Sequence, residues 1–393
     1  MRAEKAVILT PGAGDRLIWR EAARALESLG HRVSAWEADA LSLANVRKLF
    51  ALPPERSGLA AYPALYLSIN FQGLDKFGEL AAIFREKGVL VAVWCVDNPW
   101  NLLSGLRADF WKDAHLFVTD PGFIPGLEAH GAKHVSFLPL ATDPAVFSPR
   151  ETTRQAGGDA TPLVFVGRSA FPDKERFFVG QSVPQAIMDE AETRLRAGQR
   201  TDFFWWLEEL EMETGATPLW PGSAARKAAL GAEESSLAWR SACLEAAAPL
   251  GLTIYGDEGW ARQFPSGKSN AKPPVLCPPL DYYTQLAAVY ANAPFSLNMM
   301  SFLLPQGLNQ RHFDVWAAGG FCLMDACRGL DLFPEELTAP VTFAAPGAIP
   351  ALVARFTKDP AEKSHLAAAW KEHILAEHTY EDRMRTLTKT IFS

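Results

Sequence analysis

Short apolar runs alternate with segments of helical periodicity along most of the 393 residues. The runs AVILTPG (6–12) and VLVAVWCVDN (89–98) predict buried strands, and LDKFGELAAIFREKG (74–88) predicts an amphipathic helix. This alternation is typical of βαβ units around a parallel sheet. It restarts with PLVFVGRS (162–169), so the pattern predicts an α/β chain with two doubly wound, Rossmann-like domains.

The domain boundaries follow from breaks in this rhythm. Residues 149–161 contain no large apolar side chain and are the predicted linker between an N-terminal domain, 1–150, and a C-terminal domain, 151–365. Helical periodicity without strand signals predicts a helical insertion at about 181–250, with the aromatic stripe FFWW in its core. The helices of 366–393 are expected to cross back to the first domain. The expected ligand site is a cleft between the carboxyl ends of the two sheets.

Composition narrows the classes of function. The formal net charge of -7 disfavours nucleic acid or an anionic membrane as the main partner, because polyanions are not attracted to an acidic surface. Five cysteines without a CxxC pair indicate a reducing compartment, and no apolar run is long enough for a membrane span or a signal peptide. These features predict a soluble, cytoplasmic protein.

The stretch LNQRHFDVWAAGGFCLMD carries the densest polar chemistry at a predicted helix entrance. If the helix begins near Asn309, its free N–H groups suit a phosphate or a sugar hydroxyl. Asp314, one turn further, can accept hydrogen bonds from a ribose diol. The alternative is that Arg311 and Asp314 form an ordinary surface ion pair at i and i+3. Gly319 and Gly320 are predicted to end the helix before the next strand.

This stretch resembles the donor-site signature of GT-B glycosyltransferases, and more closely that of the bacterial CgeB-like (spore-maturation) glycosyltransferases. Other stretches resemble the same family in the same order along nearly the whole chain outside the insertion: WCVDNPW, FLPLATDPAVFSP, LVFVGR, IYGDEGW, SLNMM and EHTYEDRM. The resemblance implies a GT-B enzyme that moves a sugar from a nucleotide-sugar donor, UDP- or GDP-linked, to an acceptor protein, glycan or small molecule. It implies no further cofactor.

The resemblance also implies roles for individual residues. Asp314 falls where retaining GT-B enzymes keep the second glutamate of a Glu-x7-Glu pair, which binds the nucleotide ribose. Gln306 stands in place of the first glutamate, so Asn309 and Arg311 are the candidates for its catalytic role. Gly319 and Gly320 belong to the same donor-site signature, and retention of anomeric configuration is the expected outcome.

Two further turns are predicted to hold the donor. In VGRSAFPDK, Gly167, Arg168 and Lys174 resemble the Gly-Arg…Lys group that neutralises a donor diphosphate, whose negative charge grows as the glycosidic bond breaks. The alternative for Lys174 is a solvated loop charge. In IYGDEGW, Gly256 and Asp257 fit the nucleotide base pocket by analogy of fold, although Asp257 is equally suited to cap a helix.

The acceptor is assigned to the N-terminal domain. In WCVDNPW, Asp97 is either a general base for an acceptor hydroxyl or the cap of the next helix, and Asn98 is predicted to contact the acceptor. Gly12 and Gly14, in TPGAGDR, are predicted to allow close approach of the acceptor, the alternative being a tight turn before a helix.

The remaining alternatives are distinguished by what the sequence lacks. Leu17 occupies the third glycine position of a dinucleotide fingerprint, which disfavours a nicotinamide dehydrogenase. No Asp-x-Asp triplet and no zinc-like spacing of His and Cys occur, which predicts a metal-independent reaction. A nucleotide-sugar epimerase on the same fold stays open, as does a non-catalytic sugar-nucleotide binding or assembly protein, which the missing glutamate at Gln306 favours.

Overall fold

The computed structural model describes residues 6–9, 18–36, 42–51, 63–148, 162–210, 222–265 and 272–393. The chain divides into two compact units. Unit 1 comprises Met1–Leu140, Glu213–Arg226 and Tyr380–Ser393, and unit 2 comprises Ala141–Met212 and Lys227–Thr379. Unit 2 begins at Ala141, and Thr142 pairs with Thr379 in an isolated parallel bridge within it. The predicted boundary at 150 and the predicted linker 149–161 lie outside the described residues.

The described residues of unit 1 form a parallel sheet flanked by helices. Its strands are β1 (Ala6–Leu9), β2 (Arg32–Ala35), β3 (Leu65–Ile69), β4 (Leu90–Cys95), β5 (His115–Val118) and β6 (His134–Phe137). Their order is β2-β1-β3-β4-β5-β6, and every pair is parallel. The helices are α1 (Trp19–Ser28), α2 (Leu43–Ala51), α3 (Glu79–Glu86), α4 (Pro99–Leu103) and α5 (Ile124–Ala129).

The described residues of unit 2 form a second parallel sheet. Its strands are β7 (Leu163–Val166), β8 (Leu252–Tyr255), β9 (Val275–Cys277), β10 (Phe295–Asn298), β11 (Cys322–Asp325) and β12 (Thr342–Phe343), in the order β12-β11-β10-β7-β8-β9. The helices that follow α5 are α6 (Pro144–Phe147), α7 (Lys174–Phe177), α8 (Gln185–Arg196), α9 (Phe203–Glu209), α10 (Gly222–Ala247), α11 (Trp260–Gln263), α12 (Leu286–Asn292), α13 (Arg311–Ala317), α14 (Glu335–Thr338), α15 (Ile349–Lys358), α16 (Pro360–Glu377) and α17 (Tyr380–Phe392). Residues of α10 up to Arg226, and all of α17, are grouped with unit 1.

The strand order confirms the doubly wound fold predicted from the sequence. The order reverses between β1 and β3 in unit 1 and between β7 and β10 in unit 2. Open α/β sheets bind ligands outside the carboxyl ends of the strands at such a reversal. In unit 2 those ends lie at Val166 and Asn298.

The helical insertion is anchored to the sheet of unit 2 by a buried ion pair. Arg200 donates to the carboxylate of Asp325 at 2.7 Å, and the indole N–H of Trp239 donates to the same oxygen at 3.0 Å. Asp325 is fully buried at the end of β11. Within the aromatic stripe, Phe203 and Trp206 are also fully buried, as predicted. Among the described residues, no helix has both the length and the hydropathy to span a membrane.

The helix α13 ends in two glycines that the backbone requires. The N–H of Gly319 donates to the carbonyl of Trp316, the N–H of Gly320 donates to that of Val315, and Gly319 has φ of +78°. These two bonds define a Schellman motif, whose left-handed residue favours glycine. A Cβ on Gly320 would lie 2.5 Å from the carbonyl oxygen of Tyr290. Both glycines therefore terminate the helix.

Replacement of Gly319 by alanine is expected to destabilise the protein by about 1 kcal/mol, because a side chain in the left-handed region is strained. Urea unfolding monitored by circular dichroism measures the change. Gly347→Ala is the matched control, since Gly347 has no positive φ and a Cβ there would meet no atom within 4 Å. Equal midpoints for the two variants would show that the left-handed turn contributes nothing.

Candidate functional site

Arg311 bridges the two strands at the point of reversal in unit 2. It is the first residue of α13. Its Nη1 donates to the carbonyl of Val166 at the end of β7 at 2.7 Å, and its Nε donates to Oδ1 of Asn298 at the end of β10 at 2.8 Å. The guanidinium carbon lies 5.6 Å from the ring centre of Phe165. The cation is thus fixed at the place where this class of sheet binds ligands.

The charge of Arg311 is not neutralised within the described residues of unit 2. Its hydrogen bonds go to neutral oxygens, and no carboxylate there forms an ion pair with it. Burial lowers the pKa of Arg311 because the charged form loses solvation, yet the residue keeps partial exposure to solvent. A poorly solvated cation with an open side attracts an anionic ligand.

Two asparagines hold Arg311 in place. The amide of Asn309 donates to Oδ1 of Asn298 at 3.0 Å, and the amide of Asn298 donates back to Oδ1 of Asn309 at 3.2 Å. Oδ1 of Asn309 also accepts the backbone N–H of Arg311 at 3.1 Å. Asn309, predicted from the sequence as catalytic, is therefore placed beside Arg311 as a residue that orients it.

His312 is a buried neutral imidazole behind this network. Its Nδ1 lies 3.2 Å from the backbone nitrogen of Asn309, 3.1 Å from Oδ1 of Asn309 and 3.1 Å from the amide nitrogen of Asn298. Burial, and then the positive charge of Arg311, lower the pKa of His312 to about 3. The ring therefore stays uncharged where an exposed histidine would be protonated.

This shift predicts a pH dependence of stability. An unfolded chain binds a proton on His312 near pH 6.5, whereas the folded chain does not, so stability is lost as pH falls from about 6.5 toward 3, by up to about 1.4 kcal/mol per pH unit. His312→Asn, which keeps an acceptor near Nδ1, should give a shallower decline between pH 6 and pH 4 in urea unfolding. The exposed His365→Asn is the control. Parallel profiles for His312→Asn and wild type would contradict the assignment.

The turns after β7 and β8 are tied to each other by Asp257. Its Oδ2 accepts the backbone N–H of Ser169 at 2.9 Å, and its Oδ1 accepts the Ser169 hydroxyl at 2.5 Å and the N–H of Gly259 at 2.9 Å. A Cβ on Gly256 would clash with the carbonyl oxygen of Gly167. Asp257 therefore fastens the two turns, and Gly256 allows their close approach. The donor-binding roles of both residues stay predictions.

A groove lies beside these turns. It has a volume of about 500 Å³, and its lining includes Ser169, Lys174, Arg176, Gly259 and Arg262. The half-buried Lys174 forms an ion pair with Glu234 at 2.6 Å. Glu234 belongs to the insertion, which thereby orients the lysine side chain. The groove is lined by Asp173 and Glu175 as well as by Lys174 and the two arginines, and it is large enough for a small-molecule ligand.

Arg168, beside this groove, is exposed directly after the strand end. Its carbonyl accepts a hydrogen bond from Nη1 of Arg240 at 2.9 Å, and the carbonyl of Ser169 accepts one from Nη2 at 3.1 Å. Arg240 comes from the insertion helix α10 and thereby fixes the turn that carries Gly167 and Arg168. The structure thus brings Gly167, Arg168 and Lys174 to the same edge of the sheet as Arg311.

Asp314 lies inside unit 2 and is 1% exposed. Its Oδ1 accepts the hydroxyl of Thr142 at 2.7 Å, and its Oδ2 accepts the hydroxyl of Tyr282 at 3.0 Å. The alternative of a surface ion pair with Arg311 is not seen among the described residues, because Asp314 is buried and the Arg311 guanidinium donates to the neutral oxygens at the ends of β7 and β10. Because each oxygen accepts one of these hydroxyls, Asp314 anchors α13 to neighbouring segments of unit 2.

Gly319 and Gly320 lie at the wrong edge of the sheet for the donor role predicted from the sequence. They precede β11, so they sit at its amino end, whereas Arg311 lies at the carboxyl ends of β7 and β10. The correction is that the two glycines end α13 and do not face the strand reversal.

In unit 1, Asp97 and Asn98 have separate roles. Asn98 is 2% exposed and caps α4, accepting the N–H groups of Trp100 at 2.9 Å and Asn101 at 3.2 Å. Its observed role is thus to cap α4, and its contact with the acceptor stays a prediction. Asp97 does not cap the helix. It is exposed, and its Oδ2 accepts the amide of Asn70 at 2.7 Å. Gly12 and Gly14 lie outside the described residues.

Comparison with known proteins identifies the class of enzyme. Residues 240–389 match the model of a glycosyl transferase-like family. Two similar structures are an alpha-glucosyltransferase in complex with UDP-glucose and DNA containing an abasic site (TM-score 0.56, 10% identity, 99% of each chain), and a UDP-forming alpha,alpha-trehalose-phosphate synthase from Burkholderia xenovorans (TM-score 0.53, 10% identity, 100% of this chain and 99% of that one). The chain is a glycosyltransferase with the GT-B fold. Anabaena HepE in complex with UDP and glucose is also similar (TM-score 0.54, 9% identity, 99% of each chain).

No curated protein sequence matches this glycosyltransferase. The family model over residues 240–389 and the fold confirm the sequence prediction of a GT-B glycosyltransferase.

Three residues that shape the candidate site of the glycosyltransferase were missed in the sequence. Asn298 ends the buried strand β10. An asparagine at the end of an apolar run is a sequence pattern that could have marked it as a site residue. Asn70 follows β3 in the same way and has φ of +55°. Arg240 lies in the middle of the 26-residue helix α10, where nothing in the local pattern marks it.

Proposed function

We propose that this glycosyltransferase takes its sugar from a uridine diphosphate sugar, whose diphosphate binds at the carboxyl edge of the sheet of unit 2. The observation that carries the proposal is Arg311, a cation fixed at the strand reversal without a carboxylate partner among the described residues of that unit. A diphosphate supplies the missing negative charge. Its bond to the sugar breaks with transfer of negative charge to the phosphate, and a fixed cation stabilises that charge most strongly in the transition state.

The neighbouring cations fit the same ligand. Arg168 is exposed beside the strand end, and Lys174 lines the groove of about 500 Å³. In the proposal, Arg311 and Arg168 contact the diphosphate, and the groove holds part of the nucleotide. Because cations supply the charge, the proposal needs no metal ion for donor binding. Asn309 acts by orienting Arg311.

Uridine is favoured as the base because similar structures contain it. The alpha-glucosyltransferase is in complex with UDP-glucose, and Anabaena HepE is in complex with UDP and glucose. The order of the quoted sequence motifs supports the finer assignment to the CgeB-like enzymes. Retention of the anomeric configuration rests on the resemblance at Asp314, and nuclear magnetic resonance of the product sugar tests it.

The acceptor is assigned to unit 1. Asp97 offers an exposed carboxylate at the end of β4, and the amide of Asn70 sets its orientation at 2.7 Å. A carboxylate in this position can bind an acceptor hydroxyl, or take its proton if the reaction inverts the configuration. The acceptor is proposed to be a protein, a glycan or a small molecule.

The first test is a thermal-shift screen of UDP, GDP, dTDP, ADP, CDP and their common sugars. A nucleotide present at 100 times its dissociation constant adds about 2.7 kcal/mol of stability, so UDP and its sugar are expected to raise the melting temperature selectively. Arg168→Ala should reduce the shift, while the exposed Arg196→Ala, on α8, should not. A folded protein that responds to none of the nucleotides would contradict the proposal.

Turnover distinguishes transfer from epimerisation. With the UDP-sugar found in the screen, release of UDP is expected to depend on an added acceptor, tested with protein, glycan, small-molecule and DNA pools. An epimerase would instead convert one UDP-sugar to another with no acceptor and no release of UDP.

A further inference from the structure

Three metal-binding side chains meet at the carboxyl end of α16, apart from the residues assigned to the donor and acceptor. His373 and Glu377 are one helical turn apart, and His378 follows directly. One ligand atom from each lies within 4.8 Å of the others. Nε2 of His373 and Nε2 of His378 are 3.3 Å apart.

The separation of the two imidazoles suits a tetrahedral metal ion. Zinc binds histidine nitrogen at about 2.0–2.1 Å, which places two ligand nitrogens of a tetrahedral site about 3.3 Å apart. A carboxylate oxygen of Glu377 lies 3.9 Å from Nδ1 of His373. Since one ligand atom of each of the three residues lies within 4.8 Å of the others, the carboxylate is close enough to supply the third ligand.

The two rings are held in advance of any ligand. His378 is 5% exposed, and its ring packs against Phe313 and Phe333, with centroid distances of 5.7 and 5.1 Å. Phe333 also packs against His373 at 6.1 Å. The backbone carbonyl of His378 accepts the N–H of Thr142 at 3.0 Å. A metal ion would therefore not have to order these two ligands when it binds, which favours affinity.

The third ligand is on the open side. The side chain of Glu377 is 66% exposed, whereas that of His373 is 15% exposed. Two histidines and one glutamate form a donor set that zinc accepts, with water in the fourth position. Without thiolates the set is typical of a borderline ion such as Zn²⁺ rather than Cu⁺.

We propose that His373, Glu377 and His378 bind a zinc ion at the carboxyl end of α16. This site goes beyond the proposed function, since none of its residues contributes to donor or acceptor binding. The sequence does not mark the site by a paired spacing of histidine and cysteine, because its pattern is H-x3-E-H. By joining the last turn of α16 to the residue that follows it, the ion would stabilise the segment that pairs with Thr142.

The test is zinc binding to the full-length, tag-free protein. After dialysis against a chelator, ZnCl₂ is titrated in competition with a chromogenic zinc indicator, and Co²⁺ is used to report geometry by its visible absorption. One equivalent of zinc per chain and an intense, tetrahedral-type Co²⁺ spectrum are expected. His373→Gln and Glu377→Gln should each weaken zinc binding at least tenfold. His365→Gln, an exposed histidine on the same helix, should bind as wild type does.

The test stays informative even if one of the variants misfolds. Glu377 is exposed, so Glu377→Gln should keep the wild-type circular dichroism spectrum and the wild-type response to UDP even if His378→Gln does not fold. Zinc should raise the melting temperature of wild type and not that of Glu377→Gln. If wild type binds no more zinc than His373→Gln, or if His365→Gln loses binding equally, the site is overturned. A protein that responds to UDP but not to zinc would leave the proposed function intact.

Discussion

The variant Arg311→Gln is expected to lose about 100- to 1000-fold in kcat/KM for its nucleotide-sugar. Removal of one preorganised donor to a developing negative charge typically costs this much, and Arg311 is a full charge fixed at the strand reversal by Val166 and Asn298. Steady-state kinetics with the UDP-sugar found by thermal shift measures the loss. Arg311→Lys keeps the charge but not the two-armed geometry, so it should recover only part of the activity.

Loss of activity through distortion of the fold must be separated from loss of the cation. Uridine lacks the diphosphate, so its affinity should be nearly the same in wild type and Arg311→Gln, while the affinity for UDP falls steeply. Calorimetric titration gives both constants. Equal weakening of uridine and UDP would mean that Arg311 supports the pocket without contacting phosphate.

The largest effect on stability is expected from Asp325→Ala. This carboxylate is fully buried and accepts hydrogen bonds from Arg200, Trp239 and the backbone N–H of Met300. Its removal leaves the largely buried Arg200 without its partner carboxylate. Breaking a buried ion pair from one side costs about 3–5 kcal/mol, and urea unfolding should show a drop of that size in the free energy of unfolding.

Two controls test whether the ion pair of Arg200 and Asp325 accounts for the drop in the free energy of unfolding. Arg196 and Glu192 form an exposed pair at 2.9 Å on α8 in the same insertion, so Arg196→Ala should change stability by less than about 1 kcal/mol. The double variant Arg200→Met, Asp325→Leu should be more stable than Asp325→Ala, because it leaves no unpaired buried charge. A drop of the same size for Asp325→Ala and Arg196→Ala would refute the argument.

The sequence predicted the alternation of strands and helices well because buried parallel strands are continuous apolar runs. Each apolar run assigned to a strand contains an observed strand, although the observed strands are shorter. The strand β9 was missed because its three residues, VLC, lie between prolines in PPVLCPP, a context that argues against a strand. It forms at the edge of the sheet, where proline is tolerated.

The candidate site was predicted less completely, and the reason is geometric. Arg311 and Arg168 could be chosen as candidates because each follows an apolar run or opens a helix, which one sequence can show. Whether a polar residue faces a ligand or its own backbone depends on contacts with distant segments. Asn98 turned out to cap a helix, and Asp314 accepts hydrogen bonds from Thr142 and Tyr282, the first of which is 172 positions away. Local pattern carries no information about such partners.

The contacts of the insertion decide how the enzyme can be redesigned. Arg240 holds the carbonyls of Arg168 and Ser169, Glu233 accepts the N–H of Phe171 at 2.6 Å, and the hydroxyl of Ser236 accepts the N–H of Phe302 at 2.7 Å. The insertion therefore holds the loops of its own Rossmann unit in place by hydrogen bonds to their backbone. Deleting the insertion would remove the hydrogen bonds that hold these loops, so the shortened chain would not be a minimal catalytic core. Transfer of the turn after β7 to another scaffold would require transfer of the insertion as well.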